Sequence, residues 1–120
     1  MKILAIGNSF SRDATAYLQQ LLTDCGVENT IVNLYIGGCP LERHWRNIEQ
    51  NRADYEYQRN GQIVERRVSI QQALTEEEWD IIVTQQASHD SGWIESYEPF
   101  LGKMLDYIRE KQPNARLMLQ

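Results

Sequence analysis

Apolar residues fall in short bursts along this chain, and the bursts alternate between two periods. Ile3 to Ile6 is unbroken, the pattern of a strand covered on both faces. Beyond Gly7 and a polar turn, Ser11 is placed to cap a helix. Ala14, Tyr17, Leu18, Leu21, Leu22 and Cys25 then recur at helical spacing along one stripe. Gly26 stands where a left-handed cap would stop that helix. Thr30 to Ile36 is rich in β-branched residues and predicts a second strand. Gly37-Gly38-Cys39-Pro40 reads as a turn into a helix whose apolar face is Leu41, Trp45 and Ile48.

Residues 54–68 break the rhythm. Tyr55 and Tyr57 precede Asn60-Gly61, and Ile63 and Val64 follow. Asn-Gly between two β-prone runs is a strong hairpin signal, so a small antiparallel excursion from the main sheet is expected here. Ser69 with Gln72 resembles a capping box and opens a short helix. Trp79 to Thr84 predicts a third core strand, and residues 85–92 a polar loop. Pro99 opens a last helix with the stripe Phe100, Leu101, Met104, Leu105 and Ile108, which Gln112-Pro113-Asn114 ends. Ala115 to Leu119 predicts a fourth strand. Strand alternating with helix is the signature of an α/β domain with a mostly parallel sheet. The expectation is a flavodoxin-like three-layer αβα domain over residues 1–120, with the first strand central and strand order 2-1-3-4. The final apolar strand has no covering helix after it, so the domain reads as cut short there. An edge and an apolar face left open at that strand are expected to promote self-association.

Composition narrows the function. Twelve basic against 17 acidic residues give a net charge of −5, which disfavours nucleic acid, because phosphate binding needs clustered positive charge. Arg66-Arg67 is too short a cluster to change that. No apolar run spans a bilayer and no membrane role is expected. The N-terminus carries no signal-peptide pattern, so the chain as given is expected in the cytoplasm. A secreted or periplasmic location would require a leader already trimmed. Cys25 and Cys39 match no metal-ligand or redox spacing. They are expected as free thiols, and no metal or organic cofactor is implied.

In an open α/β sheet the ligand crevice lies outside the carboxyl ends of the strands. Three loops leave such ends: Gly7 to Ser11, Gly37 to Pro40, and Gln85 to Gly92. An acyl-transfer site needs a nucleophile, oxyanion donors and a base. The first loop offers Ser9, in a strand-to-helix turn where backbone N–H groups point outward. The second offers a backbone N–H at Gly37 or Gly38. The third offers the side-chain amide of Gln85 or Gln86. Side chains alternate along a strand, so only one of these two points into the crevice, and Gln85 is the first choice. His89 lies in the third loop beside Asp90 and is a substitute candidate for the base. His44 reads as a surface residue on a polar helix face. Cys39 reads as a small packing residue, with a reactive thiol as the alternative. Glu76-Glu77-Glu78 reads as a solvated helix end. The hairpin tyrosines read as cross-strand packing, with a carbohydrate-binding lip as the alternative.

The same three loops carry a resemblance. Gly7-Asn8-Ser9-Phe10-Ser11 resembles the first block of the SGNH/GDSL hydrolases, with Asn8 where many members have aspartate. Gly37-Gly38 resembles the second block, which supplies an oxyanion glycine. Gln85-Gln86-Ala87-Ser88 sits where the Gly-x-Asn block falls, and a glutamine there resembles the sialate O-acetylesterase-like branch. With Trp79-Asp80 and Ser88-His89-Asp90-Ser91-Gly92, the pattern looks most like an SGNH-type family common in gut bacteria. It covers the whole chain but only the first half to two thirds of a complete member. The closing Asp-x-x-His block has no counterpart here. The resemblance implies a serine esterase removing an acetyl-like group from a carbohydrate, with Ser9 as nucleophile and Ser9, Gly38 and Gln85 around the oxyanion. The missing aspartate and histidine make the 120 residues alone a poor catalyst or an inactive one. The alternative reading is a non-catalytic flavodoxin-like module that binds a small anion or a protein partner.

Overall fold

The computed structural model describes residues 1–60, 62–85 and 97–119, the side chains of 9–14, 16, 65 and 119 excepted. Six strands form one mixed sheet among these residues. They are β1 (Lys2–Gly7), β2 (Thr30–Tyr35), β3 (Tyr55–Arg59), β4 (Gln62–Val68), β5 (Ile81–Thr84) and β6 (Arg116–Leu119). The helices are α1 (Ser9–Asp24), α2 (Leu41–Glu49), α3 (Ile70–Glu76) and α4 (Phe100–Lys111). Strand order is β4-β3-β2-β1-β5-β6. Strands β2, β1, β5 and β6 run parallel, so the four predicted core strands stand in the expected order with β1 central.

The apolar run predicted this placement for a physical reason. Ile3, Leu4, Ala5 and Ile6 are all buried, and only a strand covered on both faces lets consecutive side chains escape water. Leu4, Ile6, Val32, Leu34 and Ile82 pack against α2, α3 and α4. The opposite face, with Ile3, Ala5, Ile31 and Asn33, carries α1. Among the described residues the domain is therefore three-layered, with three helices on one face and one on the other.

That imbalance leaves the stripe of α1 thinly covered: Tyr17 is 75% exposed, Leu21 and Cys25 are exposed, and Leu18 and Leu22 are half-buried. A helix on the outside of a sheet buries only the side that touches the strands. Coverage on this face also fades along the sheet. Ile81 and Val83 are half-buried, and Met118, beside Val83 in register, is 49% exposed.

Other differences are local. Helix α1 begins at Ser9, two residues before Ser11, so Ser11 is not its cap. Its far end follows the sequence. Gly26 is left-handed (φ +74°), Gly26 N–H donates to Thr23 O at 3.0 Å and Val27 N–H to Leu22 O at 2.9 Å, the paired bonds of a Schellman ending. The third core strand is Ile81–Thr84, so Trp79 precedes it rather than opening it. The hairpin forms with Asn60 at φ +50° and Arg59 opposite Gln62. The excursion stays joined to the main sheet, because β3 pairs antiparallel with β2 and extends it. The unpaired edge of β2 needs such a partner for its backbone groups. Tyr55 and Tyr57 are buried, with the Arg66 guanidinium 4.1 Å from the Tyr57 ring centroid. Packing accounts for them, and no carbohydrate lip is formed by these two rings.

One side chain caps α3 at the carboxyl edge, beyond the end of β4, and another closes the amino edge. Ser69 Oγ accepts the Gln72 N–H at 3.1 Å and caps α3. The buried Gln112 amide donates to Leu74 O at 2.7 Å and Glu77 O at 2.9 Å, and its oxygen accepts the Trp79 N–H at 3.1 Å. Ser69→Ala is expected to cost about 1 kcal/mol. Gln112→Met, which strands three backbone groups, is expected to cost about 3 kcal/mol. Urea denaturation of both variants checks the ranking, and equal losses would contradict this account of the two side chains.

Candidate functional site

The carboxyl ends of β1, β2 and β5 meet around one side chain, Asn8, the residue that joins β1 to α1. Asn8 is buried at 1% exposure. Its Oδ1 accepts a hydrogen bond from Gln85 Nε2, and its Nδ2 donates to Cys39 O at 3.4 Å. One amide thus ties the end of β5 to the turn that follows β2. Thr84 reinforces the seam, its hydroxyl donating to Ile6 O at 3.0 Å. Gln85 is buried and aimed at Asn8. Gln86 and His89 lie outside the described residues.

The turn after β2 is shaped by its glycines. Cys39 N–H donates to Ile36 O at 3.3 Å across Gly37 and Gly38. Gly38 has φ +65°, a conformation costly for residues with a Cβ. A Cβ at Gly38 would meet nothing within 4 Å, while one at Gly37 would sit 3.2 Å from the Tyr35 hydroxyl. Conformation, not space, therefore requires glycine at 38. Ser9 is the first residue of α1. Its backbone stands next to Asn8, at the helix end whose N–H groups lack partners within the helix; its side chain is outside the description.

His44 is not on the surface. It is fully buried, because Leu41, His44, Asn47 and Ile48 share one side of α2. Leu41 and Ile48 lie seven residues apart, and position 44 between them falls on the same face. The expected face through Trp45 is only half-buried. That spacing is the signal that could have found His44. The ring Nδ1 lies 2.7 Å from Tyr55 OH and 3.6 Å from Cys39 Sγ, and Asn47 Nδ2 donates to Tyr55 OH at 3.2 Å. Burial, aided by the nearby Arg43 charge, pushes the ring down to about 3. Burial raises the Cys39 thiol to about 12 against a smaller opposing pull from Arg43, so it is no ready nucleophile. Burial also raises the Tyr55 phenol. Cys25 and Cys39 are both free thiols.

Elsewhere, Glu77 is partly buried and pairs with Arg59 at 3.1 Å, so the acidic run is not wholly solvated. A cleft of about 460 Å³ lies at the opposite, amino edge between Lys2, Trp79, Asp80 and Lys111. Its polar groups already hold the fold together: Asp80 accepts the Lys2 N–H at 2.7 Å. Among the described residues no group of three or more His, Cys, Asp or Glu could hold a metal ion, and no helix is long and apolar enough to cross a membrane.

Comparison with known proteins now adds to this geometry. The family described as Domain of unknown function (DUF4886) matches residues 2–119. The chain belongs to the DUF4886 family. A DUF4886 family protein from Bacteroides uniformis ATCC 8492 is 43% identical with a TM-score of 0.91; the match covers 99% of this chain and 48% of that one. A protein from Slackia heliotrinireducens, provisionally assigned as an SGNH hydrolase, is 22% identical with a TM-score of 0.59, over 99% of this chain and 54% of that one. The fold of this DUF4886 chain is thus similar to that of an SGNH hydrolase. The chain spans about half the length of these two structures. A search of curated proteins finds no match.

The buried imidazole makes acid a test of the site. In the unfolded chain His44 binds its proton near the ordinary value of 6.5, and in the folded chain only near 3. Between these values the unfolded state holds more protons, so stability falls as pH falls through the window, by a few kcal/mol at the acid end. Denaturant melts from pH 8 to 4 are expected to show a plateau above about 7 and a decline below it. His44→Gln should flatten much of that decline. An NMR titration of the wild-type ring should show no protonation down to pH 4. An ordinary titration near 6.5 would contradict the burial.

Proposed function

We propose that this chain carries the nucleophile and oxyanion half of a serine ester hydrolase that removes an acetyl-like group, with an acylated carbohydrate as the substrate class. The observation that supports the reading most is the Asn8 amide, which gathers the Gln85 side chain and the Gly37–Cys39 turn at one edge. In the proposed reaction Ser9 Oγ attacks the ester carbonyl and passes its proton to a base. The carbonyl oxygen becomes an oxyanion. The Ser9 and Gly38 N–H groups and the Gln85 amide receive it. An amide nitrogen carries two hydrogens; Gln85 gives one to Asn8, and the second is the one offered to the oxyanion. Collapse then expels the alcohol and leaves an acyl-serine for water to cleave.

His44 is not the base, since it is fully buried and held on Tyr55. The base is proposed to come from the part of the longer relatives that this chain does not span, with His89 as the candidate within the chain. The substrate is small and no nucleic acid, metal or organic cofactor enters the proposal.

p-Nitrophenyl acetate tests it. The 120-residue chain is expected to react slowly and to accumulate an acetyl group that peptide mapping places on Ser9. Ser9→Ala should lose that adduct, and Gln85→Ala should form it about a hundredfold more slowly. Neither a Ser9 adduct nor any Ser9-dependent rate would overturn the reading. Tight phosphate binding in that case would favour the rival, a non-catalytic module with an anion at the start of α1.

A second proposal concerns the thinly covered sheet face. Ile81, Val83 and Met118, with Tyr17 and Leu21 of α1 on the same side, are proposed to associate with a second copy of the chain. Light scattering over a range of concentrations should show growth in mass that Met118→Lys reduces. A monomer at every concentration would contradict it.

A further inference from the structure

A buried polar group lies beneath the Gly37–Cys39 turn, and the proposed reaction does not use it. Tyr55 OH accepts the Asn47 Nδ2–H at 3.2 Å and sits 2.7 Å from His44 Nδ1. A phenol has one proton. In the tautomer whose Nδ1 accepts the Tyr55 proton, the ring carries its own hydrogen on Nε2. Nε2 is buried and has no partner among the described residues. An unpaired buried N–H is costly, and an apolar side chain at position 44 would avoid the cost. The ring's remaining contact is Cys39 Sγ, 3.6 Å from Nδ1.

Cys39 is held through its N–H, its carbonyl and its sulfur, which also lies 3.7 Å from Pro40 O. Its N–H closes the turn onto Ile36 O at 3.3 Å, its carbonyl accepts from Asn8 Nδ2 at 3.4 Å, and its sulfur rests against His44. Gly38 precedes it in a left-handed conformation with open space where a Cβ would stand. No side chain of its own pins it there, so its neighbours in the turn set the direction of its N–H. We propose that His44 is a positioning residue: with Tyr55 and Asn47 it braces Cys39 from below and so aims the Gly38 N–H at the carboxyl edge of the sheet. The use of that N–H rests on the ester-hydrolase reading, whereas the bracing does not.

Amide hydrogen exchange at Cys39 reads the closed turn directly. Tyr55→Phe keeps the ring and removes only the hydroxyl. It is expected to speed exchange at Cys39 at least tenfold beyond any change at Ala5 and Ile6 in β1. Ile82→Val serves as a control that loosens the core elsewhere and should spare Cys39. His44→Gln places an amide oxygen where it can accept the Tyr55 proton, and should keep protection within about threefold of wild type. His44→Leu should lose it. Equal protection in the Gln and Leu variants, or Cys39 exchange that rises only in step with β1, overturns the proposal. Hydrolysis of p-nitrophenyl acetate adds a separate reading: Tyr55→Phe should lower kcat about tenfold with KM within twofold. If the exchange pattern holds and no Ser9-dependent reaction is found, the bracing stands and the ester reading falls. If Ser9-dependent reaction is found while Cys39 exchange is unmoved, the reverse is true.

Discussion

Asn8 follows the innermost strand of the sheet at a point sealed from water, so its amide must find partners in the protein. An unbonded buried amide costs as much as several good packing contacts return. Among its partners are Gln85 after β5 and Cys39 after β2. That requirement fixes the spacing of three strand ends at the carboxyl edge. Each end is otherwise the start of a connection free to wander. An aspartate at this position would accept hydrogen bonds but could not donate to the Cys39 carbonyl. The amide serves both sides at once, which gives a physical meaning to the Gly-Asn-Ser form of the first loop.

The arrangement depends on the sheet beneath it. Parallel strands β2, β1 and β5 start together on one edge and finish together on the other, so the residues following them share a rim. Ile3 to Ile6 hold β1 at the centre because both faces of that strand are covered. The hairpin contributes from the side. By pairing with β2 it carries Tyr55 to the inner face of α2, where the hydroxyl meets His44 and Asn47. A feature that reads as peripheral in the sequence thereby supports the floor of the crevice turn.

The two faces of the sheet differ in consequence. Three helices share one face and exclude water from Leu4, Ile6, Val32, Leu34 and Ile82. On the other, α1 covers β1 and β2, and coverage thins toward β6. The apolar stripe of α1 records helical period faithfully, but period reports which residues lie on one line, not how much protein lies against that line. Tyr17 shows the difference.

Sequence alone determined what is local or periodic. The unbroken apolar run at Ile3 to Ile6 marked the central strand, Gly26 marked a helix end, Asn60-Gly61 marked a hairpin, and Ser69 marked a cap. Glycine, hydroxyl and amide residues after three parallel strands marked the rim where chemistry is proposed. These signals are legible because a few residues fix them through backbone conformation or alternation. Tertiary structure decided the rest. The spacing of α2 turns His44 inward, but its hydrogen bond exists because Tyr55, eleven residues away on a strand that joins the sheet, meets it there. The hairpin belongs to the main sheet because β2 had an edge to fill. Gln85 and Asn8, 77 residues apart, are one unit because β1 and β5 are neighbours. A polar residue's place depends on the partners that meet it, and partners brought together by chain crossings leave no periodic trace in the sequence.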